Sequence, residues 1–574
     1  MRFKTWFAHL AQFAASSNAS HRQRSRFRPR IEALEDRTVP ATITVTGTGE
    51  GGGTFEVMPT GPNSYNIGDL RDALTFAKSN PGPDTILFAS SIAGQTINLT
   101  MDDIFYPTDM GHTAFVITAG NFITIKGDAT HGMTIDAGGA RRHFGVGLGG
   151  ALTLENLTLT GGMAEGGAGG GASSGKGAPG GGGAGMGGSI YVFMGTVSLI
   201  NCTLTGNTAQ GGTGGSIDSP EQNGGGGGGG SASFTGGHPS SEAGGGGGAG
   251  MYGPGEDGDN QQGGKGGLNQ KGQQAGENAT GTNGGGGGGG SHYSFHLPFS
   301  TKVSVIHSGG SATGSNSFGF GGGGGGGAEG EGSEGADIVI YAGAGGAGGF
   351  GAGGGGSGWA DGYANGGKGG FGGGGGGSVN VGKPATSIFG GGQGGDIYSS
   401  AVSNDDWTAG GGGGGGAGLG GAIFVNFGTV VIQNSTMTNN TATGGAGGTA
   451  PFGSRNGDGG SGFGGAIFVL NGALSQVGNT TISSNNASSG GAQVYIMSQG
   501  KGQAASATFV NTVIGQSGSS TGADVVLNNI QGERSRPSPA TRTLSARRGC
   551  SPGRLWPARA IRSCCHSQIT ADRQ

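Results

Sequence analysis

Residues 420–445 read GGAIFVNFGTVVIQNSTMTNNTATGG, and this pattern recurs twice more in the chain. Residues 187–212 match it position for position as GGSIYVFMGTVSLINCTLTGNTAQGG, and residues 464–491 match it with an insertion as GGAIFVLNGALSQVGNTTISSNNASSGG. Each copy has two apolar, β-branched runs separated by a Gly-Thr or Gly-Ala corner and closed by an Asn-rich bend. Short strands at a repeated spacing predict an all-β parallel β-helix, a solenoid of stacked coils.

Three kinds of residue mark the copies: a Gly-Gly pair, the Ile that follows it, and asparagines at the corners. They are Gly187, Gly188, Ile190, Asn201, Asn207, Gly420, Gly421, Ile423, Asn434, Asn440, Gly464, Gly465 and Ile467. Asparagine tolerates a left-handed backbone, and its side chain can hydrogen-bond to the next coil. We therefore expect these residues to have structural roles.

Glycine dominates the composition, with 149 of 574 residues, while only 11% of residues are charged. Glycine loses the most backbone entropy on folding and brings no side chain to bury, so a large compact core is excluded. The absence of a Gly at every third position and the presence of only 18 prolines exclude collagen. The remaining possibility is a quasi-one-dimensional structure in which each turn supports its neighbours.

The formal net charge of −4 is unevenly distributed. Residues 1–40 carry eight Lys or Arg against three acids, and residues 533–574 carry nine Arg against two acids. The residues between these segments hold 13 bases and 29 acids. An acidic body does not suit a polyanionic ligand, so no nucleic-acid partner is expected.

The cysteines predict neither a disulfide framework nor a zinc site. Cys202 aligns with Ser435 of the second copy, so we expect a small, buried strand residue. Cys550, Cys564 and Cys565 lie in the C-terminal segment without the spacing of metal ligands.

Residues 1–41 are expected to form an export leader and basic arm. The apolar stretch 6–15 is too short to span a bilayer, and no transmembrane helix is expected. The string RPRIEALEDRTVPA at 28–41 resembles the sorting-type leader of large planctomycete surface or secreted proteins, with Leu34, Glu35, Asp36 and Arg37 at its centre. The alternative is a solvated basic arm.

One helix is predicted, over residues 66–80, at the start of the β-helix region 42–162. Apolar residues fall on one face, and Asn-Pro-Gly at 80–82 ends the pattern. The segment resembles the cap that opens many bacterial right-handed β-helix proteins, which implies a right-handed solenoid with its first coil covered. The matching residues are Leu70, Arg71, Asp72, Ala73 and Leu74, and the charged ones, with Asp69, are expected to face solvent.

The Gly-Gly-Ala-Ile units at 420–423 and 464–467 resemble the repeats of chlamydial polymorphic outer-membrane proteins and autotransporter passenger domains. The chain departs from that family because Phe is missing three positions before the corner Asn at 201 and 434. No C-terminal barrel pattern of alternating ten-residue strands accompanies the repeats.

Residues 163–419 form a long glycine-rich insertion with short apolar islands, similar in composition to glycine-rich mycobacterial surface proteins. We expect flexible loops leaving one side of the solenoid; packed polyglycine rods and disorder are the alternatives. Further coils are predicted at 420–532. Residues 533–574 are expected to be a disordered basic tail. Their Arg, Pro, Ser and Cys usage is interpreted as the product of a frameshift or truncation, and a genuine basic tail is the alternative.

Candidate chemistry is sparse, and no catalytic or cofactor residue is assigned. Asp102–Asp103 and Asp405–Asp406, the latter beside Trp407, are candidate acids, but neither pair has an evident partner one coil away. Asp396 lies in GGQGGDIYS, which fits the nonapeptide of calcium-binding toxin repeats, but only one copy exists.

The expected function is that of a non-catalytic surface or extracellular protein that contacts matrix, polysaccharide or other surface proteins. The alternatives are a polysaccharide lyase or glycoside hydrolase on the same scaffold, and a calcium-dependent secreted binding module.

Overall fold

The computed structural model describes residues 40–574 apart from several segments, so the leader residues Leu34, Glu35, Asp36 and Arg37 lie outside the described chain. The segments not described after residue 39 are 52–55, 81, 104, 106–110, 174–176, 220–224, 231–233, 240–245, 247, 250–253, 259–264, 267–291, 298–300, 307, 313–322, 328–341, 359–363, 398–409, 452, 501, 516–522, 531–541, 545–566 and 571–574.

The described chain is mostly strands, arranged in several parallel sheets, which confirms the all-β class. The largest sheet has eleven strands, in the spatial order Met58–Gly61, Ser64–Ile67, Thr42–Val45, Gly82–Phe88, Asn121–Lys126, Ala151–Glu155, Thr196–Ile200, Thr429–Gln433, Ala473–Gly478, Ser506–Val510 and Ser567–Thr570. An eight-stranded sheet contains Thr113–Ile117, Arg142–Val146, Ile190–Phe193, Ile423–Asn426, Ile467–Leu470, Val494–Gln499, Val525–Ile530 and Arg542–Leu544.

Smaller sheets complete the set. A seven-stranded sheet contains Thr96–Asn98, Met133–Asp136, Leu157–Thr160, Thr203–Thr205, Thr436–Thr438, Thr481–Ser483 and Val513–Gly515. A four-stranded sheet contains Met163–Glu165, Thr208–Gln210, Thr441–Thr443 and Asn486–Ala487, and a three-stranded sheet contains Gly185–Met186, Gly418–Leu419 and Gly462–Phe463. Two-stranded pairs are Ala172–Ser173 with Ile217–Ser219, His292–Leu297 with Thr301–Ile306, and Gly369–Phe371 with Ser387–Phe389.

The three sequence copies pair with one another in register. Ile190 pairs with Ile423, which pairs with Ile467, and the strands that follow pair in the same way in three further sheets. The insertion in the third copy appears as a register shift at Val430 and Val431. A bulge absorbs the extra residue locally, so the pairing on both sides of it is kept.

The core is formed by the inward positions of these short strands. Leu152, Leu154, Leu157 and Leu159 are at most 2% exposed, while the residues between them are half-buried. This period-two alternation is what the apolar spacing of the sequence predicts.

Asparagines fix the corners in two ways. Four corner asparagines have a left-handed backbone, with φ between 49° and 55°: Asn156, Asn201, Asn434 and Asn479. Three others, Asn207, Asn440 and Asn485, are fully buried and form a ladder. The Asn207 Nδ2 donates to the Asn440 Oδ1 at 2.8 Å, and the Asn440 Nδ2 donates to the Asn485 Oδ1 at 2.8 Å.

Cys202 lies at one of these corners and is buried, with its Sγ 3.3 Å from the Leu154 carbonyl oxygen. Burial raises the pKa of the thiol to about 11, so the thiol is protonated at neutral pH.

The single α-helix of the described residues spans Leu70–Ser79, a shorter segment than the predicted 66–80. The Asp69 side chain caps it by accepting a hydrogen bond from the Asp72 backbone N–H at 2.9 Å. A short 3₁₀ turn follows at Ser90–Ile92. The expectation that Asp69, Arg71 and Asp72 face solvent is wrong, because the three are only 7%, 3% and 8% exposed.

The described glycine runs are buried and hydrogen-bonded to each other, so the loops expected for 163–419 are not what these residues form. In the run 180–183, the backbone N–H groups of residues 180 and 183 donate to carbonyl oxygens of the run 167–170. The N–H of residue 181 donates to the Gly354 carbonyl oxygen, and that of residue 182 donates to the Gly414 carbonyl oxygen. Successive residues thus bond to different neighbouring runs, and every third residue bonds to the same run. This pattern is typical of an extended helix with three residues per turn. These segments match the packed-rod alternative.

Aromatic rings join the glycine rods to the eight-stranded sheet. Tyr191, Phe424, Phe468 and Tyr495 form a continuous stack, with centroid distances of 5.4, 5.4 and 5.1 Å. Phe371, from the glycine-rich region, packs edge-on against Phe468 at 6.3 Å. These contacts bury apolar side-chain surface, which glycine has no side chain to provide. They therefore add a hydrophobic contribution to the hydrogen bonds between the rods.

Two short pieces of the C-terminal tail are strands rather than the disorder predicted for 533–574. Arg542–Leu544 and Ser567–Thr570 pair antiparallel with the last strands of the eight- and eleven-stranded sheets. Both therefore occupy sheet edges that would otherwise present unpaired backbone groups.

His143 gives the fold a pH dependence. The ring is fully buried, with Nε2 donating to the Ile135 carbonyl oxygen and Nδ1 accepting from the Ser189 hydroxyl, each at 3.0 Å. Burial lowers the pKa of His143 from 6.5 to about 4. The unfolded chain therefore binds a proton between these pH values that the folded chain does not, and stability falls as the pH drops through this window.

We expect the free energy of unfolding to decrease by up to about 1.4 kcal/mol per pH unit because of this group alone. The change in the free energy of unfolding between pH 7 and pH 4.5 is measured by urea denaturation of the natural chain and of the variant His143→Gln. The variant should lose less stability than the natural chain over the same interval. An equal loss in both would contradict the assignment.

Candidate functional site

Ion pairs converge on Asp102 and Asp103, which follow the strand Thr96–Asn98. The helix contributes Arg71 and Lys78 to this cluster, and the segment before Arg142–Val146 contributes Arg141. The sequence showed no partners for these acids because the partners lie 10 to 39 residues away at no repeating interval. We refer to these residues with Glu50 and His112 as the cap cluster.

Arg71 anchors the helix to the first strands. Its guanidinium donates to the backbone carbonyl oxygens of Met101, Asp102 and Ala114, at 2.7 to 3.0 Å, and also to the Glu50 carboxylate. A buried guanidinium is tolerated only when its donors are satisfied, and these contacts satisfy them. The role of Arg71 is therefore structural.

Asp103 is enclosed rather than presented to solvent. It is 2% exposed, bonds to the Lys78 ammonium at 2.7 Å and accepts from the Val116 and Phe105 backbone N–H groups at 2.8 and 2.9 Å. Burial lowers the pKa of Lys78. Because this carboxylate is enclosed and both of its oxygens already accept hydrogen bonds, a substrate cannot reach it, and Asp103 is unsuited to acid or base catalysis.

Asp102 orients His112, the most exposed titratable side chain of the cluster. Its carboxylate contacts the His112 Nδ1 at 2.7 Å and the Arg141 Nη1 at 2.6 Å. The hydrogen bond to Asp102 raises the pKa of His112, whose side chain is 55% exposed. His112 can therefore hold and transfer a proton near neutral pH.

A small cavity of about 90 Å³ lies beside His112. Its lining consists of His112, Gly139, Ala140, Arg142, Met163, Ala164 and Glu165. Such a volume accommodates several water molecules, since each needs about 10–15 Å³ of it. It cannot enclose a sugar chain, and glycoside hydrolysis requires two carboxylates on either side of a bound sugar.

The calcium candidate Asp396 is paired with a base. Its carboxylate is buried and lies 3.1 Å from the Arg455 Nη1. Among the described residues, no group of three or more His, Cys, Asp or Glu side chains is placed to hold a metal ion. Calcium binding by this residue stays an untested prediction.

The other predicted acids lie outside the description. Asp405, Asp406 and Trp407 belong to the segment 398–409, of which nothing is described.

No family model, no curated protein and no solved structure matches the chain. Within the described ranges, no helix has both the length and the apolar character needed to cross a membrane.

Proposed function

We propose that this protein is a non-catalytic, exported structural or adhesive protein, built as a right-handed parallel β-helix with an N-terminal cap. The observation that carries the proposal is the order in which the chain visits the sheets. Each copy passes through the eight-, eleven-, seven- and four-stranded sheets in turn and then begins again. One coil per copy explains this order, and a right-handed path is the rule for parallel crossovers.

Export to the cell surface or outside is proposed from the leader-like string at 28–41, which resembles that of planctomycete surface and secreted proteins. The composition supports the proposal, because few charged and many small polar residues leave a surface suited to extended contacts with matrix, polysaccharide or other surface proteins.

A structural role is further supported by the cap cluster. Its buried charges are paired with each other and with backbone groups, so they hold the helix against the first coil. Two carboxylates side by side in sequence, one of them enclosed, do not form the separated pair used by glycoside hydrolases.

Surface exposure is the test of the proposal. Intact cells that express the protein are treated with a protease and probed with an antibody against the repeats, with a cytoplasmic protein as the control. We expect the repeats to be degraded, or found in the medium, while the control survives. Protection until the cells are lysed would contradict export.

The rival activity is tested with the purified chain. We expect no unsaturated products from polygalacturonate, and no reducing ends from neutral polysaccharides, above the background of a His112→Ala variant. Activity in the natural chain that disappears in this variant, with unchanged thermal unfolding, would favour the lyase or hydrolase.

A further inference from the structure

The outer face of the seven-stranded sheet carries a column of threonines. Six consecutive strands place Thr at the same register position, at Thr96, Thr134, Thr158, Thr203, Thr436 and Thr481. In the strands Leu157–Thr160, Thr203–Thr205 and Thr436–Thr438, the residue next to each threonine is buried in the core, so the threonines point outward.

A second column runs beside the first. Three neighbouring strands have Thr at both outward positions, as Thr158 and Thr160, Thr203 and Thr205, and Thr436 and Thr438. Strand geometry sets the repeat at about 4.8 Å between strands and about 6.7 Å along each strand. We call the six residues of these three strands the threonine face. It is a two-dimensional array, since it is regular in both directions.

The array is held rigidly. Every pairing in the seven-stranded sheet is parallel and free of register shifts, whereas the eleven-stranded sheet has shifts at three pairings. The buried ladder of Asn207, Asn440 and Asn485 follows these strands and ties the copies together. Threonine is also stiff at χ1, so little side-chain entropy is lost when the face is covered.

The chemistry of the threonine face restricts its partner. The three strands contain no charged or aromatic residue, and the described hydrogen bonds do not involve the six hydroxyls. Polyanions need cationic contacts, and stacking on sugar rings needs aromatic side chains, so neither ligand is favoured. What remains is a neutral surface that offers hydrogen-bonding groups at a regular spacing in two directions.

We propose that the threonine face binds ice. An ice surface presents water oxygens in rows whose two spacings are close to the strand spacing and to the spacing of alternate residues. Threonine offers each site a hydroxyl to hydrogen-bond and a methyl to fill the hollow between rows. Many such contacts form together, so individually weak bonds add up to firm attachment. The inference rests on the proposed export, because ice first forms outside cells.

The test uses the purified full chain. We expect it to separate the melting and growth temperatures of a single ice crystal and to partition into slowly growing ice. The variant Thr203→Lys with Thr436→Lys should reduce both effects to background. The matched control is Thr196→Lys with Thr429→Lys, a pair in register on the same two copies but on the eleven-stranded sheet. It should keep both effects.

Circular dichroism and thermal unfolding of the two double variants establish that both fold. Absence of both effects in the natural chain, or their loss in both double variants, would overturn the proposal. Binding to microcrystalline cellulose or chitin that only the Thr203 and Thr436 variant loses, with no effect on ice, would assign the face to a polysaccharide instead. These outcomes are independent of the protease test of export.

Discussion

Replacing Gly353 by alanine should destabilise the glycine rods by about 3 kcal/mol or more, at the upper end of the cost of overpacking. A Cβ atom at this position would lie 2.0 Å from the Gly181 carbonyl oxygen and 2.5 Å from its carbon. The obstacle is backbone on a neighbouring rod, which is itself bonded on other sides, so no side chain can rotate away. The measurement is the midpoint of thermal unfolding, followed by circular dichroism.

Gly49→Ala is the matched control, because a Cβ there meets no atom within 4 Å. The same substitution should leave the midpoint nearly unchanged. If Gly353→Ala were equally harmless, the rods would not be packed as described. Cleavage by a protease within the glycine runs, compared between the two variants, shows whether the loss is confined to the rods.

Replacing the buried Asn440 by alanine is expected to lower the free energy of unfolding by at least about 3 kcal/mol, since each buried polar group left without a hydrogen-bond partner costs roughly 1–3 kcal/mol. The side-chain oxygen of Asn440 accepts from both the backbone N–H and the Nδ2 of Asn207, at 3.1 and 2.8 Å. Its Nδ2 donates to the Leu204 carbonyl oxygen and to Asn485. Alanine removes all four hydrogen bonds, and the polar groups that Asn440 bonded to are buried where no water replaces it.

The neighbouring Asn439 is the control for this variant. It is exposed and has a left-handed backbone, with φ of 56°, which glycine adopts easily. Asn439→Gly should therefore change the free energy of unfolding by less than about 1 kcal/mol. Denaturation by urea gives both values, and similar losses in the two variants would argue against the ladder as a source of stability.

The repeat was enough to predict most of the strand architecture. Its apolar spacing identified the inward positions, its Gly-Gly-x-Ile units fell in register, and the corner asparagines Asn201 and Asn434 have the left-handed backbone that the residue type suggests. These features depend on neighbours in sequence or on copies of the same pattern, so a single chain displays them.

The packing of the glycine runs was predicted only as an alternative to loops, because glycine carries no side-chain pattern that would favour one over the other. Whether such a run leaves the sheets or bonds to another run depends on backbone groups that are the same in every residue. The cap cluster was missed for a different reason. Arg141 and His112 are joined to Asp102 by the path of the chain, and neither residue type at its position indicates a partner 39 or 10 residues away.

The bond between Asn207 and Asn440 joins residues 233 positions apart, with the glycine-rich region between them. A ribosome adds about 5–20 residues per second, so the first copy waits roughly 10–50 s for the strand that covers it. During this interval the edges of several parallel sheets stay open. The timing of synthesis therefore makes the nascent chain vulnerable to pairing with a second nascent chain, and it favours a holding factor that binds extended strands until residue 443 has been made.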